Sequence, residues 1–243
     1  MNLSIANKNS IETLVQCYRE HGYVKVPNAL VDGAAEEIFA NISTQEQWNL
    51  VFDHNGTHQD LNNIEVAQWE QKDKDNLNHL VNEQAAYGFQ YFYETIPIYD
   101  IFHKNLMPGH FFNEIVKFLN CDLTLDFFRN LTCAPEITFA DAQITRFSAG
   151  HFLNCHRDDV DNKNRIAAFV INLTKDWRAD WGGALHILND DMQIEQSFLP
   201  TFNEINIFKI PVEHYVGYVT PFTKEHRLSI TGWLRSGKNP MAL

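Results

Sequence analysis

Apolar positions recur with two different periods along this chain, and the change falls near residue 135. Before it the spacing is mostly helical. Ile11, Leu14, Val15 and Tyr18 form one stripe, which predicts a helix over residues 10–20 with Ser10 as its cap and Gly22 just past its end. Residues 23–26 alternate as a short strand stopped by Pro27. Val31, Ala34, Ala35, Ile38 and Ile42 predict a second helix over residues 32–42. Residues 43–71 carry a mixed signal, with Trp48 and Trp69 in a polar background, and read as loops and short elements. A weaker stripe through Leu77, Leu80, Val81 and Ala85 predicts a helix over 75–86. Residues 87–99 are aromatic-rich and read as extended around 89–93, and helices follow through Phe111, Ile115, Val116 and Leu119 and over 123–131. The aromatic residues read as core.

From residue 136 the texture becomes short strand-like runs separated by Gly, Asn and Asp. These are 137–147, 151–156, 165–173, 184–188, 204–208, 215–219 and 228–234. Seven such runs predict an all-β sandwich or barrel. Residues 1–135 are expected to be a helical and extended support packed on a β-core over 136–243, the whole forming a single structural unit.

Composition narrows the partners. A net charge of −12 lacks the basic footprint that nucleic-acid binding needs, and suits a basic peptide or protein instead. No apolar run reaches the length of a membrane span, so no membrane partner is expected. Cys17, Cys121, Cys133 and Cys155 are scattered without a C-x-x-C, and the start does not resemble a signal peptide. Together these lead us to expect a reducing, cytoplasmic setting.

The candidate chemistry lies in the β-like half. His156-Arg157-Asp158 is an H-x-D, and on an extended chain both outer side chains project from one face. A chain this rich in His and Asp contains about one H-x-D by chance, and a second one, His58-Gln59-Asp60, is present. That second one lies in a polar, turn-rich run with Asp53, His54 and Gly56, and reads as a solvated loop. His156 instead sits among strands, with a later His214 and a still later Arg227 also on strands. Two histidines and a carboxylate brought together this way make the 2-His-1-carboxylate set of non-haem Fe(II) oxygenases. Arg227 and Ser229 share a strand face and could hold a carboxylate.

The order of these pieces resembles a known family. Thr145-Arg146-Phe147-Ser148-Ala149-Gly150-His151-Phe152-Leu153 precedes the H-x-D, and Arg165 opens an apolar strand ending Asn172-Leu173-Thr174-Lys175-Asp176-Trp177. Gly182-Gly183-Ala184-Leu185, Phe198-Leu199-Pro200-Thr201-Phe202-Asn203, His214-x-Val216 and Arg227-x-Ser229 before Gly232-Trp233 follow. Over residues 137–237 this resembles the prolyl-hydroxylase branch of the 2-oxoglutarate/Fe(II) dioxygenases, nearest the oxygenases that hydroxylate a proline of a small-ribosomal-subunit protein. The resemblance implies a double-stranded β-helix of two facing antiparallel sheets. It implies His156, Asp158 and His214 as iron ligands, and Arg227 as the partner of the distal carboxylate of 2-oxoglutarate, with Ser229 nearby. It also implies O2 as second cosubstrate, with succinate and CO2 as products, and a protein or peptide substrate such as a basic ribosomal protein. Two positions depart from the family pattern: Phe147 and Asn172 stand where relatives carry tyrosine, and Asn172 is assigned to the cosubstrate through its amide. Two other readings stay open here. One is the same chemistry on a small molecule such as a free amino acid, and the other a non-catalytic, cupin-like metal-binding or regulatory module.

Overall fold

The computed structural model describes residues 11–31 and 33–238, so the Ser10 cap and the Asp32 start of the second helix lie outside the described residues. In chain order the first elements are α1 (Ile11–His21), β1 (Tyr23–Pro27), α2 (Ala34–Ser43), β2 (Asn49–His54), β3 (Thr57–Asn62), α3 (Asn63–Ala67) and α4 (Gln71–Ala85). Next come β4 (Tyr91–Ile96), α5 (Ile98–His103), α6 (Phe111–Leu119) and α7 (Asp122–Thr132). The rest is strands: β5 (Phe139–Phe147), β6 (Phe152–His156), β7 (Arg165–Asn172), β8 (Leu185–Leu188), β9 (Ile194–Phe198), β10 (Glu204–Lys209), β11 (His214–Val216) and β12 (Arg227–Arg235).

The strands pair antiparallel in the order β1-β10-β7-β12-β5-β4-β6-β11-β8-β9. The β2–β3 hairpin joins through β2 to β4. The sheet curls until its two ends touch, with the rings of Tyr23 on β1 and Phe198 on β9 5.8 Å apart. Strand β4 makes the corner. Its residues Glu94 to Ile96 pair with β5, while Tyr91 and Phe92 pair with β6, so one strand belongs to both walls. A part-buried bidentate ion pair pins that corner, Arg146 donating to both Glu94 oxygens at 2.6 and 2.7 Å with its guanidinium over Trp48.

Alternation assigns the two faces of the larger wall. Ile144, Phe169, Ile207 and Ile230 face outward into a core shared with Ile38 and Ile42 of α2, Ile115 and Leu119 of α6, and Phe128 and Leu131 of α7. Each is fully or almost fully buried, and burial of one such side chain stabilises by about 1.5–3 kcal/mol. The opposite face, with Phe147, Ala168, Val170 and Phe208, meets Leu185, Ile187 and Val216 of the smaller wall. Gly232 is required where β12 crosses β5: a methyl group there would overlap the carbonyl oxygen of Asp141 and lie 2.8 Å from the Phe169 ring.

The structure departs from the sequence expectation in three places. Residues 49–62 form a hairpin and not a loop, because Asn55 and Gly56 both adopt positive φ (55° and 76°), the conformation a two-residue hairpin turn demands. Pro97 ends β4 and leads directly into α5, so the extended segment stops short of Tyr99. Strand β9 went unread because it is an edge strand, mostly polar and exposed up to Phe198. Among the described residues no helix is long and apolar enough to cross a membrane.

His151 sits at the entrance to β6, 7% exposed, edge-on to Phe92 and accepting a hydrogen bond from the Ser148 amide at 3.1 Å. Burial, only partly opposed by Glu94, pulls its imidazole from 6.5 down to about 4. The folded value lies below the unfolded one, so the stability linked to His151 is complete above pH 6.5 and is lost as pH falls toward 4. The loss amounts to about 3 kcal/mol. Urea unfolding across that window is expected to show His151→Gln with a shallower acid-side decline than wild type.

Candidate metal centre and its cavity

β6 and β11 are antiparallel neighbours, and their register sets His156 directly opposite His214. The two rings lie 4.2 Å apart. Each ring is oriented by its own strand end: His156 Nδ1 donates to the Asn154 carbonyl at 3.0 Å, and His214 Nδ1 donates to the Val212 carbonyl at 2.9 Å. A carbonyl only accepts, so both Nδ1 atoms carry a proton, which leaves Nε2 of each ring as the nitrogen turned toward a metal. Asp158 closes the group, with Oδ1 3.7 Å from His156 Nε2 and Oδ2 3.4 Å from His214 Nε2. The donor atoms of all three residues lie within 4.8 Å of one another, and theirs is the one such group among the described residues.

Burial shapes the charges here. His156 is pulled down to about 4 by desolvation and by His214, against the pull of Asp158. Burial alone would raise the Asp158 carboxyl, but the neighbouring His214, and then His156, outweigh it and bring it down to about 2. The set at neutral pH is a neutral His156 and an ionised Asp158, the protonation states of metal ligands. Two imidazole nitrogens and one carboxylate, joined by no further His, Cys, Asp or Glu among the described residues, fit a divalent iron with open coordination positions.

The three residues border a cavity of about 610 Å³ between the two walls of the sheet. Its walls are largely apolar, through Phe147, Leu153, Ala168, Val170, Leu185 and Phe208. Arg227 also lines it, 2% exposed, with its guanidinium 5.1 Å from the Phe147 ring. Among the described residues no carboxylate pairs with Arg227, and its buried Nε has no hydrogen-bond partner. Desolvation pulls this guanidinium down to about 10. Ser229, two residues along β12, is paired across the sheet with both Thr145 and Asn172. Its hydroxyl lies 2.9 Å from that of Thr145, and Asn172 donates to Asn206 Oδ1 at 2.7 Å. Both residues are thus on the cavity side of the larger wall, but their polar groups are engaged with neighbours.

Several residues here escaped the sequence reading. Arg165, taken only as the start of a strand, lays its guanidinium 3.6 Å from the Trp233 ring and reaches the Asp158 carbonyl at 3.2 Å and carboxylate at 3.5 Å. Phe89, Tyr91 and Tyr93, read as core, line the cavity from alternate positions. Period-two spacing in 89–93 was the available signal. Phe89 packs 5.3 Å from the His156 ring, and His58 joins the rim with Nδ1 2.6 Å from the Tyr91 hydroxyl. The hairpin register puts His54 and His58 on opposite faces, so they share no metal site.

Residues 142–235 match the family model of the 2OG-Fe(II) oxygenase superfamily. Mouse prolyl 3-hydroxylase OGFOD1 is 32% identical over 100 residues, which are 38% of this chain and 18% of that protein, so the chain spans under a fifth of that relative. Among solved structures, a Pseudomonas putida prolyl-4-hydroxylase superposes with a TM-score of 0.59 at 15% identity, covering 94% of this chain and 100% of that one. A Trichoplax adhaerens prolyl hydroxylase, solved with a hypoxia inducible factor oxygen degradation domain peptide fragment, gives 0.59 at 12% identity over 93% and 89% of the two chains. These likenesses show the fold, the expected double-stranded β-helix with flanking helices. The segment that matches the 2OG-Fe(II) oxygenase model, residues 142–235, also carries the three converging donors and Arg227.

Proposed function

We propose that this protein hydroxylates a prolyl residue in a protein or peptide, with Fe(II), 2-oxoglutarate and O2. One observation carries the reading: a fully buried guanidinium, Arg227, faces an apolar cavity with no counterion among the described residues, while a His/Asp/His group stands on the same cavity. An unpaired charge is costly in such surroundings, and a carboxylate entering the cavity would remove the cost. His156, Asp158 and His214 would hold the iron, and Arg227 the distal carboxylate of 2-oxoglutarate through its planar fork. Ser229 and Asn172 flank that carboxylate and keep the wall polar at its deep end. When bound, iron with 2-oxoglutarate and O2 supplies an oxidant for an unactivated C–H bond, and 2-oxoglutarate leaves as succinate and CO2.

The protein's own part is orientation and exclusion of water. The Nδ1 bonds of both histidines hold their rings, Arg165 holds Asp158, and Phe147, Val170, Leu185 and Phe208 keep the cavity dry. Phe89 and Val160, each 50% exposed, border the mouth and suit a chain laid across it. A prolyl residue is favoured by the names of the relatives, and a basic protein, such as one of the small ribosomal subunit, suits the net charge of −12. The four free cysteines suit a reducing cytoplasm.

Iron content measured after anaerobic loading and desalting is expected to vanish in His156→Ala, Asp158→Ala and His214→Ala and to persist in His58→Ala; the reverse pattern would remove the ligand assignment. Wild type given Fe(II), 2-oxoglutarate, air and a panel of proline-containing ribosomal proteins and peptides is expected to release succinate and to leave one added oxygen atom on a proline. Arg227→Gln is expected to keep its iron but to bind 2-oxoglutarate roughly 100-fold more weakly, about 3 kcal/mol. Absence of succinate release from every substrate, by protein that holds both iron and 2-oxoglutarate, would overturn the enzyme reading in favour of a non-catalytic module.

A further inference from the structure

The cavity holds a second long donor that its surroundings leave unused. Tyr93, on β4, lays its ring flat on Phe147, with centroids 4.9 Å apart and planes within 11°. Its hydroxyl oxygen accepts a weak hydrogen bond from Gln143 Nε2 at 3.4 Å. Among the described residues nothing accepts the hydroxyl's own proton. Burial raises this phenol above its ordinary value, so it stays a donor at neutral pH.

The register shows where that donor points. Phe147, under the Tyr93 ring, pairs with Arg227 and lies beneath its guanidinium. Gln143, at the hydroxyl, pairs with Thr231, two residues before Trp233. Arg165 stacks on Trp233 and reaches Asp158. Tyr93 therefore runs from the Arg227 end of the cavity toward the end where Asp158 lies. A molecule with an acidic group at each end would meet Arg227 at one and the phenol nearer the other. Apolar walls strengthen a hydrogen bond from a neutral donor to a carboxylate. The ring is already held by Phe147 and Gln143, so little side-chain freedom is lost on binding.

We propose that Tyr93 is a second anchor for the cosubstrate, donating its phenolic hydrogen bond to the 2-oxo-acid end while Arg227 holds the far carboxylate. The proposal rests on the reading of 2-oxoglutarate as cosubstrate given above. It makes the stacked pair Tyr93–Phe147 the unit that sets affinity for that molecule, with Tyr93 bringing the polar group and Phe147 the platform.

The test needs no turnover. Titration calorimetry of 2-oxoglutarate into Mn(II)-loaded protein is expected to give Tyr93→Phe a dissociation constant roughly tenfold higher than wild type. Mn(II) affinity and melting temperature should match wild type, because the ring and its stack are retained. Adding Phe147→Tyr to Tyr93→Phe returns a phenol to the same stack and is expected to recover most of the affinity. Wild-type affinity in Tyr93→Phe would overturn the proposal. So would a double variant that melts like wild type but binds no better than Tyr93→Phe, since the contact would then be one of packing. Mn(II)-loaded wild type that takes up no 2-oxoglutarate at all would sink the cosubstrate reading itself, and this proposal with it.

Discussion

Everything at this site depends on two histidine rings turned so that both Nε2 atoms face Asp158. The Asn154 and Val212 carbonyls, each two residues before its histidine, take the Nδ1 protons. The β6–β11 register then places the rings side by side across one strand gap, tilted by 51° with centroids 4.2 Å apart. Backbone geometry thus does what a second layer of side chains does in many metal sites. The arrangement is robust, because changing it means shifting a strand and not merely a rotamer.

Around that pair, charge is deployed sparingly in a dry space. Asp158 is buried but has His156, His214 and Arg165 to stabilise its ionised form. Arg165 in turn spreads its charge over the face of Trp233, where a planar cation is well received. Arg227 has the Phe147 ring beneath it, but among the described residues no carboxylate beside it. The contrast between one compensated buried charge and one uncompensated, on the same cavity, separates a structural ion pair from a waiting subsite.

Much of this was legible in the sequence, and the parts that were not share a cause. The strands of the β-core announced themselves because their buried alternation is driven by Ile, Val, Leu and Phe. Its two candidate histidines and Arg227 could be picked out because they stand on such strands in a particular order, with Asp158 two residues past the end of one of them. Arg165 and the row Phe89, Tyr91 and Tyr93 were invisible as site residues, because their role depends on which wall of a curled sheet they face. Alternation tells two faces apart but not which of them becomes the inside. The hairpin of β2 and β3 was missed although Asn55-Gly56 is a strong turn signal, because β3 is too polar to look like a strand. His58 was dismissed as solvated for the same reason, yet it sits on the rim beside Tyr91.

Strand β4 has a consequence for how the molecule is put together. It is the hinge pin of the clamshell, bonded to one wall by its last residues and to the other by its first. A fragment beginning at residue 136 would possess every metal donor and Arg227, yet the two halves of its clamshell would have no common strand to hold them at cavity width. Nor could a nascent chain mature its chemistry piecemeal. Strand β1 waits for β10 nearly two hundred residues later, and β4 waits for β5 and β6. With so many distant partners the last steps of folding are slow ones, and the group of two histidines and Asp158 comes together all at once, near the end.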